Sequence, residues 1–244
     1  MKQLLLALAL TSALFSCQKE TTTPDKTNNN DSSVKDTTIG KPGANITDVE
    51  GNSYKTVTIG TQTWMAENIK VSKYSDGTTI PNITDNTQWQ NDTSGAWSYY
   101  NNDAANNTKY GKLYNWYAVS KTSNGNKNVC PTGWHVPTDA EWTVLIDYLG
   151  GETVAGSKMK EVGTTSWNIP NTDATNTSLF SALPGGSRGS FGNYGNDGSG
   201  GNWWGSTEYG TDDAWNRNLR TDNGVANRYY YSKKGGLSVR CLRD

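Results

Sequence analysis

Residues 137–151 read PTDAEWTVLIDYLGG, and they hold a helix with both ends marked. Thr138 is placed as an N-cap, with Pro137 before it. Glu141, at the third helical position, can reach back to the amide of the cap, which is the reciprocal pair of a capping box. Trp142, Leu145, Ile146 and Leu149 then recur at helical spacing and share one face. Gly150 and Gly151 stop the helix. A stripe this apolar must lie against something, and the flanking chain supplies strands.

Upstream, residues 54–59 alternate β-formers, Gly60 turns the chain, and residues 61–65 continue extended, which predicts a hairpin. Leu113, Trp116 and Tyr117 at i, i+3 and i+4 predict a short helix within 110–119. Downstream, a second short helix is expected at 154–160. Turn-rich strands follow at 179–183, 203–207, 214–219, 225–231 and 237–242. The Gly-rich run 185–205 has neither the lysine of a phosphate loop nor a dinucleotide fingerprint, and reads as an irregular segment packed on its own aromatics. Helices early and a loop-rich antiparallel sheet late make an α+β domain.

The chain has 244 residues, of which 33% are hydrophobic and 18% charged. It carries 27 Asn, 31 Thr and 21 Ser, a composition of loop-rich extracellular proteins rather than helical cytosolic enzymes. Ten Trp and 13 Tyr against 3 Phe give it an aromatic core to bury. A net charge of -1 gives nucleic acid no electrostatic reason to bind.

Residues 1–16 read as an export signal, with Lys2 ahead of an apolar run at 4–15 that is too short to span a bilayer. Leu14, Phe15, Ser16 and Cys17 resemble the lipobox of bacterial lipoproteins, which makes Cys17 the lipidated first residue of the mature chain. Gln18, Lys19 and Glu20 resemble the short signals that send such lipoproteins to the outer face of the outer membrane. Residues 17–46 contain no Trp, Tyr or Phe and read as a polar tether, with the folded domain at 47–244.

Several strings in order, Trp64–Asn68, Tyr110–Trp116, Cys130–Pro137, Glu141–Trp142, Leu183–Gly186, Trp203–Thr207 and Ser238–Cys241, resemble the Fibrobacter succinogenes major paralogous (FISUMP) domain. More remotely, the Pro-Thr-x-x-Glu-Trp helix start, the Pro-Gly-Gly and the closing Val-Arg-Cys are similar to the formylglycine-generating-enzyme core. That resemblance implies a C-type-lectin-like fold, here with two short helices and a loop-rich antiparallel sheet. It implies no activity.

Cys130 and Cys241 follow the export signal and form an even pair for an oxidising compartment, which predicts a disulfide. The remote family carries a catalytic copper-binding cysteine at the position of Cys241, but its partner position is Gly236 here, and one thiol cannot make a two-sulfur site. His135 is the only histidine, which removes triads and zinc sites and leaves it a structural role. Glu208 with Asp212 or Asp213 is the candidate glycosidase-like pair. These residues with Asn216 and Asp222 offer oxygens suited to calcium, although the sugar-binding calcium signatures of the lectin-like fold are missing, so no cofactor is assigned. Trp97, Tyr100, Trp203, Trp204 and Tyr230, beside Asn and Asp, offer what a sugar needs: an apolar face to stack on and polar groups for its hydroxyls. The sequence therefore points to a non-catalytic domain on the cell surface, lipid-anchored to the outer membrane, that binds glycan or an extracellular protein. The alternatives are a glycan-processing or formylglycine-generating-like enzyme on the same scaffold, or a structural part of a surface assembly.

Overall fold

A computed structural model describes residues 38–244. The export signal, Cys17 and most of the tether lie outside the described residues. The capped helix runs Asp139–Tyr148. Thr138 Oγ1 accepts from the Glu141 amide at 3.2 Å, and Glu141 Oε2 accepts from the Thr138 amide at 2.7 Å. Trp142, Leu145, Ile146 and Leu149 are buried, as the stripe requires. A second helix, Glu152–Met159, follows directly.

The strands form two five-stranded and two two-stranded sheets among the described residues. In the first, the order is Lys41–Pro42, Thr56–Ile59, Gln62–Met65, Leu242–Arg243 and Trp134–His135. The expected hairpin is its middle, and the last strand closes between that hairpin and the segment leading into the capped helix. Structure reaches into the stretch that the sequence reading leaves as tether: Lys41 and Pro42 pair with Thr58 and Val57 in this sheet, and Ile46 pairs with Tyr54 in a separate two-stranded sheet, Ile46–Thr47 with Ser53–Tyr54. Backbone pairing orders them without any aromatic side chain. The Cys130–Cys241 disulfide is formed and joins the strand end to the loop before Trp134.

In the second sheet the order is Tyr194–Asp197, Gly185–Arg188, Gly200–Glu208, Asp213–Arg220 and Ala226–Ser232. The Gly-rich run is therefore three strands and not an irregular segment. Glycine serves close approach here: Gly186 has φ +68°, and a Cβ on it would lie 2.5 Å from the Tyr100 ring. Two other expectations are corrected. The 110–119 segment splits into a strand, Leu113–Tyr114, and a helix, Trp116–Val119. Residues 179–183 are not a strand, because Leu179 and Ser181 adopt φ +56° and +52° and bend the chain around Arg240.

The Gly200–Glu208 strand of the second sheet is covered on both faces up to Gly205. Trp203 and Trp204 point to opposite sides, as strand neighbours must. Trp203 joins Trp64, Trp142, Phe180 and Leu219 under the capped helix, whereas Trp204 joins Tyr114, Trp116, Val239 and Cys241 on the other side. Of the ten Trp, all but Trp215 are buried.

Buried cations tie these layers to the loops. Lys160, Arg188 and Arg240 are each fully buried, and none of them is paired with a carboxylate among the described residues. Lys160 Nζ donates to the carbonyls of Thr172, Arg220 and Asn223 at 2.8, 3.1 and 2.8 Å. Arg188 donates to the carbonyls of Gly192, Ile83 and Thr84 and lies over Trp89 at 4.2 Å. Arg240 donates to Asn68 Oδ1 and to the carbonyls of Phe180 and Ser181, stacked on Phe180. Loop carbonyls that have no ladder partner thus receive charged donors instead.

Candidate functional site

The structure separates the residues that the sequence grouped as a ligand site. Trp97, Tyr100, Trp203, Trp204 and Asn216 are buried and present no face to a ligand. Their indole groups are spent inside the protein: Trp97 Nε1 donates to the Ile80 carbonyl, Trp203 Nε1 to Asn68 Oδ1 and Trp204 Nε1 to the Tyr114 carbonyl. The reason is that the Gly200–Glu208 strand is covered on both faces where the two residues sit, so alternation leaves neither tryptophan outside. Glu208, Asp212 and Tyr230 are exposed, and Asp213 is half-buried.

Asp212 lines a cleft of about 260 Å³ with Gln90, Tyr117, Ser190, Phe191, Ser232 and Lys234. Three local devices build it. Asn115 caps the Trp116–Val119 helix through a hydrogen bond from the Ala118 amide, sending Trp116 inward and Tyr117 to the cleft. Phe191 sits on a tight turn in which the Gly192 amide donates to the Gly189 carbonyl and Arg188 Nε donates to the Gly192 carbonyl, leaving the ring 69% exposed. Gly192 has φ +89°, and a Cβ there would lie 2.5 Å from Asn86 Oδ1. Lys233, buried against Trp116, donates from Nζ to Glu208 at 3.2 Å and to the Thr211 carbonyl at 2.8 Å, and its amide donates to the Asp212 carbonyl. These bonds fix the 208–213 turn, and Lys234 follows into the cleft. Burial, and then the Asp212 charge, raise the Tyr117 pKa. Phe191, Tyr117, Gln90 and Lys234 are absent from the sequence-based site. The one signal for Phe191 is an aromatic residue held between glycines in a turn.

Beside the cleft lies an aromatic ledge. Tyr209 and Tyr230 stack with ring centroids 4.2 Å apart and planes 5° from parallel, and Tyr209 meets Trp215 edge-on at 4.7 Å. The Arg228 guanidinium covers Trp215 at 3.4 Å. It is pinned in turn by Asp139, which accepts from Arg228 Nη2 and from buried Arg217 Nη1 at 2.8 Å each. Burial alone would raise the Asp139 carboxyl, but hydrogen bonds and charge from Arg228 and Arg217 outweigh it and hold the group below the usual range. Because the folded value lies below the unfolded one, this contribution is complete above about pH 4 and is lost as pH falls through the depressed value. Glu141 is held low as well, where bonds from Thr138 and His135 outweigh its burial. Asp139→Asn is therefore expected to be less stable than the wild type at pH 7, with the gap closing on acidification. Thermal melts from pH 2 to 7 check this, and parallel curves would contradict it.

The chemistry of the remaining groups is limited. Glu208 is committed to Lys233, which leaves the proposed carboxylate pair without one member. His135 has both ring nitrogens against carboxylate oxygens, Nδ1 at 2.6 Å from Asp244 and Nε2 at 3.0 Å from Glu141, so neither is directed at a substrate. Among the described residues no three of His, Cys, Asp and Glu converge as metal ligands.

The chain matches the Fibrobacter succinogenes major domain over residues 57–243 and belongs to that family. No curated protein and no solved structure matches it.

Proposed function

We propose that this member of the Fibrobacter succinogenes major domain family is a non-catalytic carbohydrate-binding module, with the Tyr117–Phe191–Asp212 cleft as its sugar site. The observation that carries this reading is the pairing of an exposed apolar ring, Phe191, with a carboxylate, an amide, an ammonium and hydroxyls around one small cavity. A sugar ring has an apolar face to stack and hydroxyls that both donate and accept, and these groups answer each need. At about 260 Å³ the cleft is smaller than the usual pocket for a drug-sized ligand and suits a single ring.

The rest of the proposal concerns placement and architecture. The α+β core, stapled from the helix region to the last strand by Cys130–Cys241, supports a C-type-lectin-like fold. The export signal, Cys17 and the polar tether support a lipoprotein that holds this domain outside the outer membrane. Binding is independent of metal, because the cleft brings only one carboxylate. A glycan array probed with residues 36–244, which form one compact unit, is expected to give hits that are equal in calcium and in EDTA. Hits that vanish in EDTA would replace the cleft with a calcium site, and silence in both would remove the carbohydrate reading.

A further inference from the structure

We propose that Tyr209, Trp215 and Tyr230 form a second, stacking subsite, so that the ligand is a linear oligosaccharide lying across cleft and ledge rather than one terminal sugar. This rests on the carbohydrate reading of the cleft.

The ledge is exposed yet held still. Tyr209 and Tyr230 are 49% and 53% exposed, a large apolar area for the surface of a soluble domain. An isolated tyrosine on a strand keeps its rotamer freedom, which a ligand must then freeze. Here the freezing is done in advance. Tyr230 stacks on Tyr209, Tyr209 abuts Trp215, Trp215 lies under Arg228, and Arg228 is clamped by Asp139, itself fixed by buried Arg217. The ion pairs and the close Arg228–Trp215 stack thus hold the rings in place before any ligand arrives.

The ledge is also continuous with the cleft. Ser232 lines the cleft, and Tyr230 is two residues back on the same strand, hence on the same side and about 7 Å away. Their cross-strand partners are Asp213 and Trp215. The 208–213 turn carries Asp212 into the cleft and Tyr209 onto the ledge, so one rigid turn sets the spacing of both. Polar groups along this path are unspent: the Tyr209 and Tyr230 hydroxyls and the Asp213 carboxylate make no side-chain hydrogen bond among the described residues. Two rings with free hydroxyls, then a carboxylate, then a sugar-sized cleft describe a track for consecutive sugar units.

The test is titration of residues 36–244 with ladders of one to six sugars from β-1,4-glucan, β-1,4-xylan, β-1,4-mannan and α-1,4-glucan. For the ladder that binds, Kd is expected to fall at least tenfold between one and three sugars. Tyr230→Ala should erase that gain and leave the single-sugar Kd unchanged, whereas Tyr230→Phe should keep it. A Kd independent of length, or a gain that survives Tyr230→Ala, overturns the ledge subsite while leaving the cleft in place. No binding by the wild type at any length overturns the cleft and the ledge together.

Discussion

Removing the Cys130–Cys241 bridge lowers the stability of the folded domain by about 4 to 5 kcal/mol, the cost that chain entropy assigns to opening a closed loop of this size. The loop spans 111 residues, so the unfolded chain gains a large freedom once it is cut. The last strand is only Leu242–Arg243, and it joins the first sheet through one register to Trp64 and two to His135 and Trp134. The neighbouring residues add backbone bonds of their own, from the Ile69 amide to the Val239 carbonyl and from the Met65 amide to the Cys241 carbonyl, and these survive the cut, so the loss is the one set by the freedom of the unfolded chain. Most domains have about 5 to 15 kcal/mol in total, so the reduced form should be marginal. Urea denaturation of Cys130→Ser/Cys241→Ser beside the wild type measures the difference. A loss below about 1 kcal/mol would show that the bridge is incidental.

Arg240→Met is expected to cost about 2 to 4 kcal/mol although the two side chains are similar in length and the site is lined by Phe180 and Trp203. The substitution keeps the packing and removes every donor. The carbonyls of Phe180 and Ser181 lose their donor, the first in the interior and the second half-buried, and buried Asn68 Oδ1 keeps only the bond from Trp203. An orphaned buried acceptor costs about 1 to 3 kcal/mol, so two carbonyls account for most of the effect. The bend at Leu179 and Ser181 depends on those same carbonyls, so loosening them also frees the segment under Trp64 and Trp142. Arg240→Lys should not restore stability, because a single ammonium cannot reproduce the planar fork that meets three acceptors. Denaturation midpoints of both variants decide the matter, and full rescue by lysine would contradict the account.

The parts of this fold that could be read from the sequence are those whose signal is local. The capping box of Thr138 and Glu141 and the stripe from Trp142 to Leu149 are complete within a dozen residues, and both stand in the structure as written. The same holds for the hairpin around Gly60, and the cysteine pair follows from compartment and number. The errors share one cause. Period-two alternation says that Trp203 and Trp204 face opposite ways, but only the tertiary structure says that both ways are closed. Nothing local in the sequence marks Lys160, Arg188 and Arg240 as buried, because the carbonyls that receive them come from segments up to 105 residues away. The site was hidden for the same reason. Gln90, Tyr117, Phe191 and Asp212 belong to four separate segments, and no spacing along the chain brings them to one cleft.

The measurement closest to the central claim is a calorimetric titration of wild type and the Phe191→Ala and Asp212→Asn variants with the sugar that scores highest on the array. Both positions are exposed, so melting curves should coincide with the wild type. Each variant is expected to bind at least tenfold more weakly, equivalent to about 1.4 kcal/mol of lost contact. Unchanged affinity in both, with folding intact, would show that the sugar does not occupy the cleft.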